Sequence, residues 1–450
     1  MDGHYDAIVI GMGPGGEVAA SRLAAQGKRV AVVERELVGG ECAYWACIPS
    51  KTLLRPPEAR AGAAGVAGLS APQPDWQAMR AYRDTMIRHL DDSGQVDGYR
   101  NQGVAVVKGS GRITGRDPWR VEAEDAVLTA DHVIVATGSA PIRPPVPGLD
   151  EVTVWTNREA TTLNEIPGRA VVIGGSAVGV ELGQFLARMG TRVTLLQRGP
   201  FLMNREDPRI GALTTDLLAR DGVDVRTGSE PRRFYRDGTD SVVELDDGAR
   251  IAADVVLLAT GRRPRTEGLG LEEAGIEVGA RGLAVDERCR VAEGLWAVGD
   301  VTGVALFTHV AKYQGRVAAD NILGRDRVAD YAGVPRVVFS DPEIAVVGLT
   351  EGQARDQGLD FVTAEVDLAA MLARPWTYAT EPEGRMGVLA DRERGVLIGA
   401  WAVAPLAGEV IHTAALAVRE AIPVGRLADG IAQFPTYNEG YLLAVEALNL

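Results

Sequence analysis

Cys42 and Cys47 are separated by four residues, and Lys51 follows four positions after the second thiol. The pair comes directly after a stretch that reads strand, glycine turn, helix, strand. Thiols beside a bound redox cofactor can exchange electrons as a dithiol and a disulfide, with the thiolate as the nucleophile. The chain carries three cysteines in all. That is too few for a disulfide scaffold, so an intracellular, cytoplasmic setting is expected, and a close pair there is more often catalytic or metal-binding than structural. The metal alternative is poor, because Cys289 is the one other thiol and the five histidines are scattered singly. No metal is expected.

The elements that must position the pair come next. Strand 7–10 runs into Gly11-Met12-Gly13-Pro14-Gly15-Gly16, a helix over 17–26, and a strand over 29–33 that ends at Glu34 and Arg35. Gly11 permits the tight turn, Gly13 lets backbone approach a pyrophosphate, and Gly16 allows close helix packing. The helix N-terminus favours phosphate charge, and Glu34 is placed to accept from ribose hydroxyls. A strand over 104–107 precedes Gly109-Ser110-Gly111, and a buried strand over 131–136 ends in Thr137-Gly138-Ser139.

The pattern then repeats. Residues 170–173 lead to Gly174-Gly175-Ser176-Ala177-Val178-Gly179, a helix over 180–189, and a strand ending at Gln197-Arg198. An acid at the end of that strand would repel a 2′-phosphate, whereas Gln197 with Arg198 and Arg205 removes the repulsion and offers positive charge. NADPH is therefore expected over NADH. The unit closes on Ala259-Thr260-Gly261-Arg262, echoing the strand end at Gly138. Two dinucleotide units imply two cofactors.

Between the units, Trp76, Met79, Met86, Ile87 and Leu90 mark one helix face, and the proline-rich run 141–148 reads as a linker. From about Pro335 the pattern changes to strands over 337–339 and 344–347 and a helix over 412–420. The expected fold is α/β, with two Rossmann-like dinucleotide-binding domains and a C-terminal α+β dimerisation domain. The boundaries are 1–148 for the first dinucleotide unit, 149–265 for the second, 266–333 for a central segment, and 334–450 for the C-terminal domain. A chain of 450 residues suits about three domains. The net charge of −14 has no single-sign run. That argues against a nucleic-acid partner, and no apolar run reaches membrane-spanning length. No signal peptide is expected, since residues 5–10 already read as a strand.

On these motifs, and on Phe339-Ser340-Asp341-Pro342-Glu343 with Val347-Gly348-Leu349-Thr350, the whole chain resembles the flavoprotein disulfide reductases. That group includes dihydrolipoamide dehydrogenase, glutathione reductase and mercuric reductase. The resemblance implies FAD in the first unit, NADPH or NADH in the second, and a homodimer. It makes Cys47 the thiol nearest the flavin and Cys42 the thiol that attacks substrate. It pairs Lys51 with Glu181 beside the flavin, gives Asp300 the ribityl chain, and puts Thr308 at the flavin end. It adds Pro14, Gly15, Gly40, Glu41 and Gly111 to the FAD contacts, and Ala177, Val178 and Gly261 to the cofactor contacts. The run Arg205-Glu206-Asp207-Pro208 looks closest to the mercuric reductase branch.

Two departures from the family pattern matter. The C-terminal His-Pro-Thr-x-x-Glu of the family is Phe434-Pro435-Thr436-Tyr437-Asn438-Glu439 here, so the general base is absent. Tyr437 or Glu439 could supply the proton instead. The cysteine pair that ends mercuric reductases is also missing. Between the two redox cysteines stand Ala43-Tyr44-Trp45-Ala46 in place of x-Asn-x-Gly. The expected activity is hydride transfer from NAD(P)H to FAD, then to a Cys42–Cys47 disulfide and a small disulfide or thiol-reactive acceptor. The alternative is a quinone or dye reductase acting from the flavin directly. A docking subunit of a larger complex has no support in the residues.

Overall fold

The computed structural model describes residues 3–450. It divides into two compact units, and each draws on three separate stretches of chain.

The first unit comprises the residues up to Ser50, Ala81–Ile142 and Gly261–Asp330. Its sheet has the order 290–292, 295–297, 126–135, 3–10, 30–34, 105–108. Strand Gly3–Ile10 pairs in parallel with Val30–Glu34 (Ala7 opposite Val30) and with Ala126–Val135 (Ile10 opposite Val135). Both faces are covered. Ala7 and Val9 pack with Ala19, Leu23 and Val317 on one side, and Ile8 and Ile10 share a core with Leu269, Leu271 and Leu283 on the other. Covered faces explain the near-continuous apolar strands. Helices Pro14–Ala25 and Thr308–Ile322 lie against each other.

The helix expected through Leu90 stops earlier. It spans Trp76–Met86, and Arg88, His89 and Leu90 then take φ values of 53°, 52° and 59°. Three successive non-glycine residues in the left-handed region are costly, and such turns persist only where contacts hold them.

The second unit comprises Lys51–Arg80, Arg143–Thr260 and Tyr331–Leu450. One parallel sheet runs 224–227, 192–197, 169–173, 255–258, 154–155. The other sheet is antiparallel, in the order 335–338, 343–348, 396–404, 385–391, 361–367. The second dinucleotide helix begins at Ala177, three residues before its expected start, and the C-terminal helix spans Ala407–Arg419, five residues earlier than the 412 boundary. Ile411, Ala414 and Ala415 of that helix pack on the antiparallel sheet with Ala402 and Ala345. Among the described residues no helix is long and apolar enough to cross a membrane.

Candidate active site

The first glycine loop is built for a ligand as well as for packing. Gly11 has φ +98°, and a Cβ there would lie 2.5 Å from the Ala136 carbonyl oxygen, so only glycine fits. Gly13 has nothing within 4 Å of the corresponding position. Packing does not demand glycine at Gly13; clearance for an approaching group does. Gly13 is the N-cap of helix Pro14–Ala25 and makes no side-chain cap hydrogen bond. Open amides at a helix start suit a phosphate. Gly40 crowds Gly13 from the far side, where a Cβ would fall 2.6 Å from its Cα. Gly111 sits on the ends of the neighbouring strands, facing Ile10 and Val33.

Glu34 is buried, and burial pushes its carboxyl above the usual range. Its oxygens accept the Met12 and Glu36 amides, each at 2.7 Å. Arg35 is exposed. Asp300 accepts from the Ser139 hydroxyl at 2.5 Å, and Arg262 Nε donates to the same hydroxyl at 2.7 Å. Burial also raises the Asp300 carboxyl. Arg262 and Arg265 flank Glu41 at 3.8 and 3.6 Å, and Thr137 donates to the Arg265 carbonyl at 2.6 Å. Gly138 and Gly261 both take positive φ. The clearance at Gly13, the uncapped helix start, the buried Glu34 and the half-buried Asp300 fit a dinucleotide of the FAD type.

The thiols stand on two successive helices. Cys42 lies in helix Gly40–Tyr44, and Cys47 opens helix Cys47–Ala64, which also carries Lys51. Cys47 Sγ is 3.3 Å from Thr308 Oγ1, and the free thiol of Cys42 lies near enough to Cys47 to be biased by it. The neighbouring Cys47 and burial push the Cys42 thiol well up, while Thr308 and Lys312 pull it the other way. The Cys42 thiol therefore keeps its proton at neutral pH. Cys289 is fully buried elsewhere in this unit.

Tyr44, between the two thiols, is held by a polar relay that the sequence did not reveal. Its hydroxyl donates to the Val38 carbonyl at 3.2 Å and lies 3.3 Å from the Gln95 amide. With that amide turned so that its oxygen faces Arg88, Arg88 Nε and Nη2 donate at 2.7 and 3.2 Å. The Arg88 guanidinium also lies 5.9 Å from the Tyr44 ring centre. The left-handed turn at 88–90 is thus anchored on the segment that carries the redox pair. Trp45 is half-buried, with its ring 5.8 Å from that of Tyr44.

In the second unit, Lys51 Nζ lies 2.7 Å from Glu181 Oε2, and the other carboxylate oxygen accepts the Phe339 amide at 2.9 Å. The Lys51 ammonium sits 4.5 Å from the Phe339 ring centre. Phe339 was noticed in the sequence only as part of a motif. The second glycine loop copies the first. A Cβ on Gly174 (φ +107°) would lie 2.4 Å from the Ala259 carbonyl oxygen. Ser176, at the position of Gly13, donates to the Ala259 carbonyl at 3.1 Å. Gln197 Oε1 accepts the Gly175 amide at 2.9 Å. Ala177 and Val178 form the first turn of helix Ala177–Arg188. Arg198 is exposed and 3.2 Å from Glu230, and Arg205 is exposed.

In the C-terminal run, Phe434 is 64% exposed. Tyr437 is buried and pushed up to about 12 by that burial, with the Tyr378 ring edge-on at 5.9 Å. Glu439 accepts the Thr436 amide at 2.9 Å. A buried phenol of this kind keeps its proton at neutral pH and cannot act as a base there.

A doubled glycine-loop scaffold and a close pair of free thiols define a dinucleotide-dependent oxidoreductase. The chain matches the pyridine nucleotide-disulphide oxidoreductase model over residues 5–315 and the dimerisation domain of the same family over 334–445, and it belongs to that family. It is 39% identical to a dihydrolipoyl dehydrogenase of Thermus scotoductus, over 99% of this chain and 97% of the relative. It is 36% identical to a mercuric reductase of Streptomyces lividans, over 98% and 96%. Among solved structures it resembles LpdA of Mycobacterium tuberculosis (28% identity, TM-score 0.88, 98% of this chain and 99% of that one). It also resembles the HOCl-induced flavoprotein disulfide reductase RclA of Escherichia coli (27%, 0.87, 98% and 99%), which has been solved as a Cu(II) complex as well. The protein is an FAD- and NAD(P)H-dependent enzyme, and its dimerisation domain supports a homodimer.

Proposed function

We propose that this enzyme passes electrons from NAD(P)H through FAD to a Cys42–Cys47 disulfide, and from there to a small disulfide or another thiol-reactive acceptor. The observation that carries this reading is the placement of the free thiols of Cys42 and Cys47 beside each other, with Thr308 3.3 Å from the Cys47 sulfur. The FAD, when bound, supplies a two-electron centre between nicotinamide and thiols. Residues 1–148 and 266–333 would hold it, residues 149–265 the nicotinamide dinucleotide, and 334–450 the dimer contact.

Gly13, Glu34, Gly40 and Asp300 would hold the FAD. Lys51, ion-paired with Glu181, is the cation that the family resemblance assigns to the flavin. Cys47 holds negative charge next to Thr308, and Cys42 attacks the acceptor. In balance, NAD(P)H and one proton reduce the disulfide to two thiols. Cys42 then attacks one sulfur of an acceptor disulfide, whose S–S bond breaks to release the first thiol, and Cys47 attacks Cys42 in the mixed disulfide, releasing the second thiol and restoring the Cys42–Cys47 disulfide. NADPH is favoured because Gln197 presents an amide where an acid would repel the 2′-phosphate. The acceptor extends to thiophilic metal ions, on the strength of relatives named mercuric reductase and the Cu(II) complex of RclA.

A second reading has its own support. The raised Cys42 thiol and the exposed Phe434 favour a quinone or dye reductase working from the flavin directly. An anaerobic reductive titration separates the two. Uptake of about four electrons per FAD supports the coupled disulfide, and about two supports direct transfer.

A further inference from the structure

Helix Thr308–Ile322 brings more than Thr308 to the thiols. Lys312 is one turn further along, on the same face as Thr308 by helical spacing. Side chains in a helix lean toward its N-terminus, so the long Lys312 stem is directed back over Thr308, whose hydroxyl is 3.3 Å from Cys47 Sγ. Lys312 is exposed, and among the described residues no carboxylate lies within ion-pairing distance of it. The helix start adds to the field, since its N-cap, Phe307, makes no side-chain cap hydrogen bond.

We propose that Lys312 is an electrostatic positioning residue for the thiol pair: its ammonium favours the thiolate of Cys42 in a chain whose C-terminal histidine position is Phe434. The inference rests on the disulfide reading above and deepens it. The assisted step is loss of the proton from Cys42 Sγ to solvent. Only the S–H bond breaks, and no oxidant is needed. The groups facing Cys42 are Cys47 on the following helix and Thr308 and Lys312 on helix Thr308–Ile322. Glu41, beside it in sequence, is engaged by Arg262 and Arg265. Glu17, on helix Pro14–Ala25, faces Lys312. His309 stacks on Phe307, with ring centres 5.2 Å apart, and is the neighbouring group whose own titration could imitate that of the thiol.

The test is the pH dependence of iodoacetamide alkylation of the reduced holoenzyme, with the labelled cysteine assigned by mass spectrometry. Lys312→Met is expected to raise the apparent pKa of Cys42 by about half a unit or more, with Lys312→Arg near the wild type. High salt should move the wild-type profile toward that of Lys312→Met. A His309→Gln profile that matches the wild type removes the histidine as the source. Identical profiles for Lys312→Met and wild type would overturn the proposal. Reduction is done in parallel with NADPH and with dithiothreitol. If NADPH exposes no alkylatable Cys42 while dithiothreitol does, the coupled-disulfide reading fails, and the dithiothreitol series still decides on Lys312.

Discussion

Gln197 holds the Gly175 amide at 2.9 Å, in the same way that Glu34 holds the Met12 amide at 2.7 Å. Two loops of one design are thus clamped by one charged and one neutral side chain of nearly equal length. The neutral amide keeps the clamp without the negative charge. Gln197→Glu should retain the fold and lower the NADPH-to-NADH ratio of kcat/KM about ten-fold, the effect of roughly 1.4 kcal/mol of added repulsion at a 2′-phosphate. Steady-state kinetics with both nucleotides would check it. An unchanged ratio removes Gln197 from nucleotide selection.

Glu181 serves Lys51 and the Phe339 amide at once, and it is nearly buried. Glu181→Gln leaves the Phe339 contact possible but withdraws the counter-charge. Because the Lys51 side chain is about a third exposed (36%), water absorbs part of the loss, and the stability cost should be only about 1 kcal/mol. Flavin reduction by NADPH in stopped flow should slow by about ten-fold or more. A stability loss with no kinetic effect would make the pair structural.

The Cys42 thiol is raised above its ordinary value of 9.0. The sign follows directly: below that value Cys42 carries its proton, so turnover limited by its thiolate rises with pH throughout the neutral range. Disulfide reduction should climb with pH and show no plateau below pH 9. A plateau near neutrality would mean that another group governs the step.

Supplying a base at Phe434 is the complementary experiment. Phe434 is exposed, and in the proposed function it stands where a histidine base would act. Phe434→His should raise dithiol–disulfide turnover by at least ten-fold, toward the about 10²–10⁴-fold that general bases provide. If dithiol turnover does not rise, the acceptor chemistry does not pass through that position.

Tyr44→Phe keeps the ring beside Arg88 and removes the hydroxyl from the Val38–Gln95 relay. The loss of one buried hydrogen-bonded group costs about 1 kcal/mol. A fall of a few degrees in Tm, together with faster alkylation of Cys42, is expected. Unaltered thiol reactivity would show that the relay steadies the fold without steadying the pair.

The legible parts of this molecule were those in which local chemistry forces the residue. Gly11 and Gly174 are required by carbonyl oxygens 2.5 and 2.4 Å from a would-be Cβ, and such demands recur at fixed spacing along the chain. The Lys51–Glu181 pair was accessible because the resemblance joins two distant motifs. The hidden parts are meetings of distant segments with no shared spacing, such as Ser139 with Asp300, Gln95 with Arg88, and Phe339 with Lys51. The apolar face through Leu90 pointed to a longer helix. Its continuation is broken by Arg88, whose partners lie on the thiol segment and on a later helix. Tertiary contacts overrode the periodic pattern there.

Cys289 is sealed at 0% exposure among the strands and helices of the first unit. In the folded enzyme, reagents in solution meet two sulfurs, and the third answers only when that unit opens. The chain therefore carries its own clock: the appearance of a third reactive sulfur times the opening of the domain that surrounds the thiol pair, with no label added.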